Sequence, residues 1–243
     1  MQPPSLAPDR YRFISGSALK VTAVISMVVD HVAKRILINY PWFVAPLFQI
    51  GQTDVTWYVL CESFGRIAFP IFCFLLVEGF VHTHDRRRYG LSLLAFALVS
   101  EPIFDLSRKL TPFDLSYQNV FFTLFISYLG LCALEGLRER PLHRAASVLG
   151  LALLSMGLIC DYGPRGYAMV LMLYVLRDFP LEKTALGCCI TTSTWRAGLA
   201  FIPINLYNGR RGFIQGPILK YAFYAFYPLH LFVLWRLRVA LGF

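Results

Sequence analysis

Apolar residues in this chain fall in long, nearly unbroken stretches separated by short charged loops, unlike the one-sided or alternating patterns of soluble elements. Eight such stretches stand out, at Ala18–Ile38, Trp57–Val81, Tyr89–Ser107, Asn119–Leu137, Ala145–Cys160, Tyr167–Phe179, Thr184–Leu206 and Pro217–Leu241. Most approach the roughly 20 residues that a helix needs to cross a bilayer. The pattern predicts an all-α fold, a polytopic membrane bundle of about eight transmembrane helices around a polar cavity. A single domain over residues 18–243 follows a cytoplasmic tail over residues 1–17, with no internal repeat or low-complexity linker to divide it. The sixth stretch is short, as a tilted or partly re-entrant segment would be. The tail lacks the apolar core and small-residue cleavage site of a signal peptide.

Composition sharpens this picture. Of 243 residues, 57% are hydrophobic and only 15% are charged, against about 25% charged in ordinary soluble domains. That balance excludes a soluble globule, a disordered chain and a collagen-like repeat. The 23 Lys and Arg outnumber the 14 Asp and Glu, a formal charge of +9. No basic stripe interleaved with stacking aromatics accompanies the charge, so the implied partner is the lipid bilayer and not nucleic acid. With the N-terminus inside, thirteen Lys and Arg fall on the cytoplasmic side and eight outside, which predicts that both termini are cytoplasmic. The six cysteines lie mostly inside apolar runs without a CxxC pair, so neither a metal site nor a disulfide framework is expected.

Candidate chemistry lies where polar groups interrupt these stretches. An ionisable side chain within a spanning helix costs about 2.5–3.5 kcal/mol on insertion scales, so each one asks for a function. On the first helix Lys20, Met27 and His31 share a face, and Asp30 adjoins His31. A histidine beside a carboxylate has the ingredients of a general base, although a satisfied core histidine shows the same pattern. Glu62 and Arg66 stand four apart in the order that favours a helical ion pair, and Pro70 then frees the carbonyl of Arg66. Arg86, Arg87 and Arg88 form a basic loop that serves either topology alone or phosphate binding. Glu101 and Asp105 share a helix face, which implies an aqueous cavity or a bound cation. Asn119 and Thr123 repeat that spacing, Asp161 opens the turn DYGPRG, and Lys220, Phe223, Tyr227 and His230 form a stripe on the last helix.

Seven of these strings, in order, resemble the TraX family, polytopic proteins named for the enzyme that acetylates the N-terminus of conjugative F-type pilin. They are LK…MVVDH at Leu19–His31, GRIAFPIFCFLLVEGFVHTHDRRRYG at Gly65–Gly90, SEPIFDL at Ser100–Leu106, NVFFTL at Asn119–Leu124, DYGPRG at Asp161–Gly166, LYNGRRG at Leu206–Gly212 and KYAFYAFYPLHL at Lys220–Leu231. The resemblance implies a multi-pass enzyme of the bacterial cytoplasmic membrane, related to acyltransferases that take acetyl from cytosolic acetyl-CoA. The acceptor it implies is an amine, either a small hydrophobic pilin or another protein or glycan.

On this view His31 is the catalytic base, oriented by Asp30 unless Asp30 pairs instead with Lys20 or Lys34, or else a nucleophile that briefly carries the acetyl group. Glu101 and Asp105, with Asn119 and Lys220, are expected to bind the acceptor. Arg66, Arg86, Arg87 and Arg88 are expected to bind acetyl-CoA. No metal is called for. Two other classes compete: a proton-coupled transporter or flippase using Glu101, Asp105 and His31 as a relay, and a scaffold for pilus assembly without chemistry. The lack of a repeated half argues against the former, and the number of intramembrane ionisable groups against the latter.

Overall fold

The computed structural model describes residues 11–243, so the tail residues 1–10, with Pro3, Pro4, Pro8, Asp9 and Arg10, lie outside the described residues. The architecture is nearly all-α. The first long helix, α1 (Gly16–Arg35), starts at Ser15, whose hydroxyl accepts from the Ala18 amide at 3.2 Å. A short helix α2 (Pro41–Val44) and a hairpin of β1 (Phe48–Ile50) and β2 (Thr53–Val55) lead to α3 (Trp57–Gly65) and α4 (Ala68–His82). The expected second stretch is thus interrupted at Arg66–Ile67, four residues before Pro70, whose ring and missing N–H disrupt the ladder there. α5 (Arg86–Lys109), α6 (Val120–Gly136), α7 (Pro141–Gly157) and α8 (Gly163–Val175) follow as an up-and-down series. Among the described residues, three helical segments are long and apolar enough to cross a membrane: Trp57–His82, Arg86–Lys109 and Ile218–Ala240.

The seventh apolar stretch departs from expectation. Instead of one crossing over Thr184–Leu206, the chain forms α9 (Pro180–Ile190), a 3₁₀ stretch (Thr192–Ala200) and α10 (Phe201–Asn205). Asn205 Nδ2 donates to Thr184 Oγ1 at 2.9 Å, and the Phe201 ring lies where a Cβ on Gly187 would sit. The segment is therefore a hairpin that returns to the end from which it entered.

The chain from Leu206 to Ile214 then wraps the start of α1. The Ile14 amide donates to Leu206, and Gly16 and Ser17 donate to the carbonyls of Arg210 and Arg211 at 2.8 and 2.9 Å. These loop carbonyls satisfy amides that an isolated helix start would leave open.

Because of that hairpin, the last helix, α11 (Gly216–Ala240), begins beside the start of α1 and runs parallel to it. Lys220 lies by Lys20, His230 by His31 and Arg238 by Arg35. The start of α1 and the end of α11 therefore occupy opposite ends of the bundle, which corrects the expectation that both termini share one side. Core packing is dominated by α4, α5, α6 and α8 around Phe80, Leu93, Tyr128, Leu131 and Val170.

Candidate active site

A cavity of about 530 Å³ is walled by α1, α4, α5, α6, α11 and the turn before α8. At one end stand Lys20, Arg211 and Lys220, with His82, Gly209 and Arg211 exposed at the opening. The loop Leu206–Ile214 brings Arg211 to Lys20, and the parallel course of α11 adds Lys220. Among the described residues, no carboxylate pairs with any of the three. Lys220 also faces the rings of Tyr89, Tyr221 and Tyr224 at 5.5, 5.6 and 5.9 Å. The middle of the cavity is apolar, with Val24, Met27, Phe72, Leu76 and Phe223 in its wall.

His31 lines the other end, with Asp30, Gly65, Asp161, Tyr162, Phe226 and Tyr227. Lys20 and His31 are eleven residues apart on one helix, a separation of about 16 Å at 1.5 Å per residue. His31 Nδ1 lies 2.7 Å from His230 Nε2, and His230 Nδ1 lies 3.0 Å from the Phe226 carbonyl oxygen. Among the described residues, Asp30 makes no hydrogen bond to His31. Successive helical residues point about 100° apart, and Asp30 instead forms an ion pair with Lys34 at 2.9 Å. Gly65 makes room for it, since a Cβ there would collide with the Asp30 side chain. Asp161 accepts from the Tyr117 hydroxyl at 2.8 Å, and its own carbonyl accepts from Thr123 Oγ1. Tyr162 adopts a left-handed φ of 62° and stacks on Phe69.

The expected acceptor and donor residues are redistributed. Glu101, Asp105 and Asn119 do not line this cavity. Glu101 accepts from both the amide and Nδ2 of Asn119, while Asp105 accepts from the Asp114 amide at 2.8 Å. Asn119 caps α6 through the Phe121 amide at 2.9 Å. These side chains brace the α5–α6 connection. Lys220 belongs to the cationic opening and not to an acceptor pocket around His31.

Arg66 pairs with Glu62 at 2.7 Å and lies outside the cavity wall. Arg86 pairs with Glu135 at 2.8 Å and covers Phe80, while Arg87 and Arg88 line a separate shallow groove beside Tyr221. The spacing along the last helix places His230 at a cavity border, but no sequence signal brings His230 to His31 or Arg211 to Lys20; those contacts depend on the loop and helix directions. Among the described residues, no group of three or more His, Cys, Asp or Glu converges as a metal site would require.

Against models of known protein families, residues 15–238 match the one described as TraX protein. The chain belongs to the TraX family. This TraX-family chain is also 28% identical over 251 residues to a probable fimbrial assembly protein, FimC of serogroup H1, from Dichelobacter nodosus. That match covers 90% of this chain and 94% of the relative. No solved structure gives a significant match.

Proposed function

We propose that this TraX-family protein is a membrane-embedded acetyltransferase that moves acetyl from cytosolic acetyl-CoA to an amine acceptor. The observation that carries this reading is one cavity that joins Lys20, Arg211 and Lys220, none of them ion-paired with a carboxylate among the described residues, to a histidine pair about 16 Å further along α1. Coenzyme A has that layout, phosphates at one end and a thioester at the far end of a slender arm. Lys20, Arg211 and Lys220 supply charge-assisted contacts to the phosphates, the apolar middle takes the arm, and the thioester reaches His31. A neutral imidazole keeps one ring nitrogen bare, so His31 can take the amine's proton as the amine attacks. As the nitrogen attacks, the C–N bond forms, the C–S bond breaks, and His31 passes the proton to the departing thiolate. Asp161, at the His31 end of the cavity, is the carboxylate placed to attract an acceptor ammonium before it is deprotonated.

The pilin N-terminus is the acceptor class supported by family membership and by the name of the fimbrial assembly relative. The bundle crosses the bacterial cytoplasmic membrane seven times, with Thr184–Leu206 re-entrant from the inner face. Routed so, fourteen Lys and Arg fall inside and seven outside, a sharper bias than the even-numbered routing gives. The transporter reading loses support because Glu101 and Asp105 stand away from the path that contains His31.

The test is to incubate membranes carrying the protein and a candidate pilin with radiolabelled acetyl-CoA. Label should enter the acceptor, and His31→Ala should lower the rate by at least about 10²-fold. A folded His31→Ala protein with near-normal transfer would sink the assignment.

A further inference from the structure

The proposed reaction needs one nitrogen of His31 bare and facing the acceptor, and the surrounding hydrogen bonds determine which nitrogen that is. We propose that His230 is a positioning residue that holds neutral His31 as its Nδ1–H tautomer, leaving Nε2 as the basic atom. The inference rests on the role given to His31 above, but its geometry stands independently.

A backbone oxygen fixes the first proton. The Phe226 carbonyl can only accept, so the 3.0 Å contact places the proton of His230 on Nδ1. The Nε2 atom of a neutral His230 is then a lone-pair acceptor. Its 2.7 Å contact with His31 Nδ1 requires the proton on that atom, and the remaining lone pair of His31 falls on Nε2. Among the described residues nothing else hydrogen-bonds His31 Nε2, and His31 borders the cavity.

The ring geometry agrees. The two imidazoles lie within 2° of one plane with centroids 5.0 Å apart, the arrangement of rings meeting edge to edge along an in-plane lone pair. His230 is itself held: it is 8% exposed, the Phe226 ring lies parallel to it at 5.4 Å, and the Tyr227 ring meets it at 5.6 Å. A solvated histidine prefers its proton on Nε2, so this chain of donors reverses the ordinary preference. When His31 Nε2 takes a proton, Nδ1–H continues to donate to His230, which supports the imidazolium. His230 thus does the work that a carboxylate does for other catalytic histidines, while Asp30 is occupied by Lys34.

The test is ¹⁵N NMR of histidine-labelled protein in lipid nanodiscs at a pH where the imidazoles are neutral, with His31 signals assigned by their loss in His31→Gln. Wild type should show His31 with Nδ1 protonated and Nε2 bare. His230→Ala should move the proton to Nε2, whereas His230→Gln, whose amide oxygen accepts, should retain Nδ1–H. A wild-type His31 protonated on Nε2, or a tautomer unchanged in folded His230→Ala, would overturn the proposal. In acetyl transfer, His230→Ala should lower kcat by about 10²–10⁴-fold with the KM for acetyl-CoA unchanged, and His230→Gln should recover part of that loss. The NMR measurement needs no turnover. An absence of acetyl transfer by wild type would therefore count against the reaction and leave the tautomer assignment to stand or fall on the spectra.

Discussion

Arg211 and Lys220 repel Lys20 at the cavity opening, and among the described residues no carboxylate forms an ion pair with any of the three; Glu78, which lines the same cavity, stands 3.9 Å from His82. An anion that sits among them relieves the repulsion, and a hydrogen bond to a charged group contributes about 1.5–3 kcal/mol. Replacing any one with Gln should therefore raise the KM for acetyl-CoA by roughly tenfold or more. The same change at Arg86, Arg87 or Arg88 should leave it near wild type, since Arg86 is spent on Glu135 and the other two face another groove. Initial rates over a range of acetyl-CoA concentrations check both. A KM raised by the loop arginines and not by the three cavity cations would return donor binding to the loop.

The hairpin of α9 and α10 decides where those cations meet, because it delivers Leu206–Ile214 back to the start of α1. Its closure depends on Gly187, where the Phe201 ring occupies the space of a side chain. Gly187→Ala should lower stability by about 1–3 kcal/mol, read by thermal unfolding in detergent, and trimming the ring with Phe201→Leu should restore part of the loss. A Gly187→Ala protein as stable as wild type would show that the two arms do not pack this closely. Hydropathy could not reveal this turn-back, since a folded hairpin and a straight crossing of the same length are equally apolar. The α5–α6 connection misled for the opposite reason. Two carboxylates on one face suggest a wet cavity, but Asp105 is met by the Asp114 amide and Glu101 by Asn119, donors that only the folded loop supplies.

Across the molecule, seven of the eight apolar stretches correspond to single helices or, at Trp57–Val81, to a helix pair, because uninterrupted hydrophobicity dictates helix and little else in a bilayer. His31 was legible as chemistry because an ionisable group at such depth needs a reason. Its partner was not: His230 lies 199 residues away and reaches it only because α11 runs parallel to α1. In the proposed reaction one cavity carries acetyl from the inner face to His31. Sealed membrane vesicles of defined orientation test it most directly, with radiolabelled acetyl-CoA supplied to one face at a time. Acetyl transfer is expected when the cytoplasmic face is supplied and none when only the outer face is. Transfer that requires donor on the outer face would contradict it.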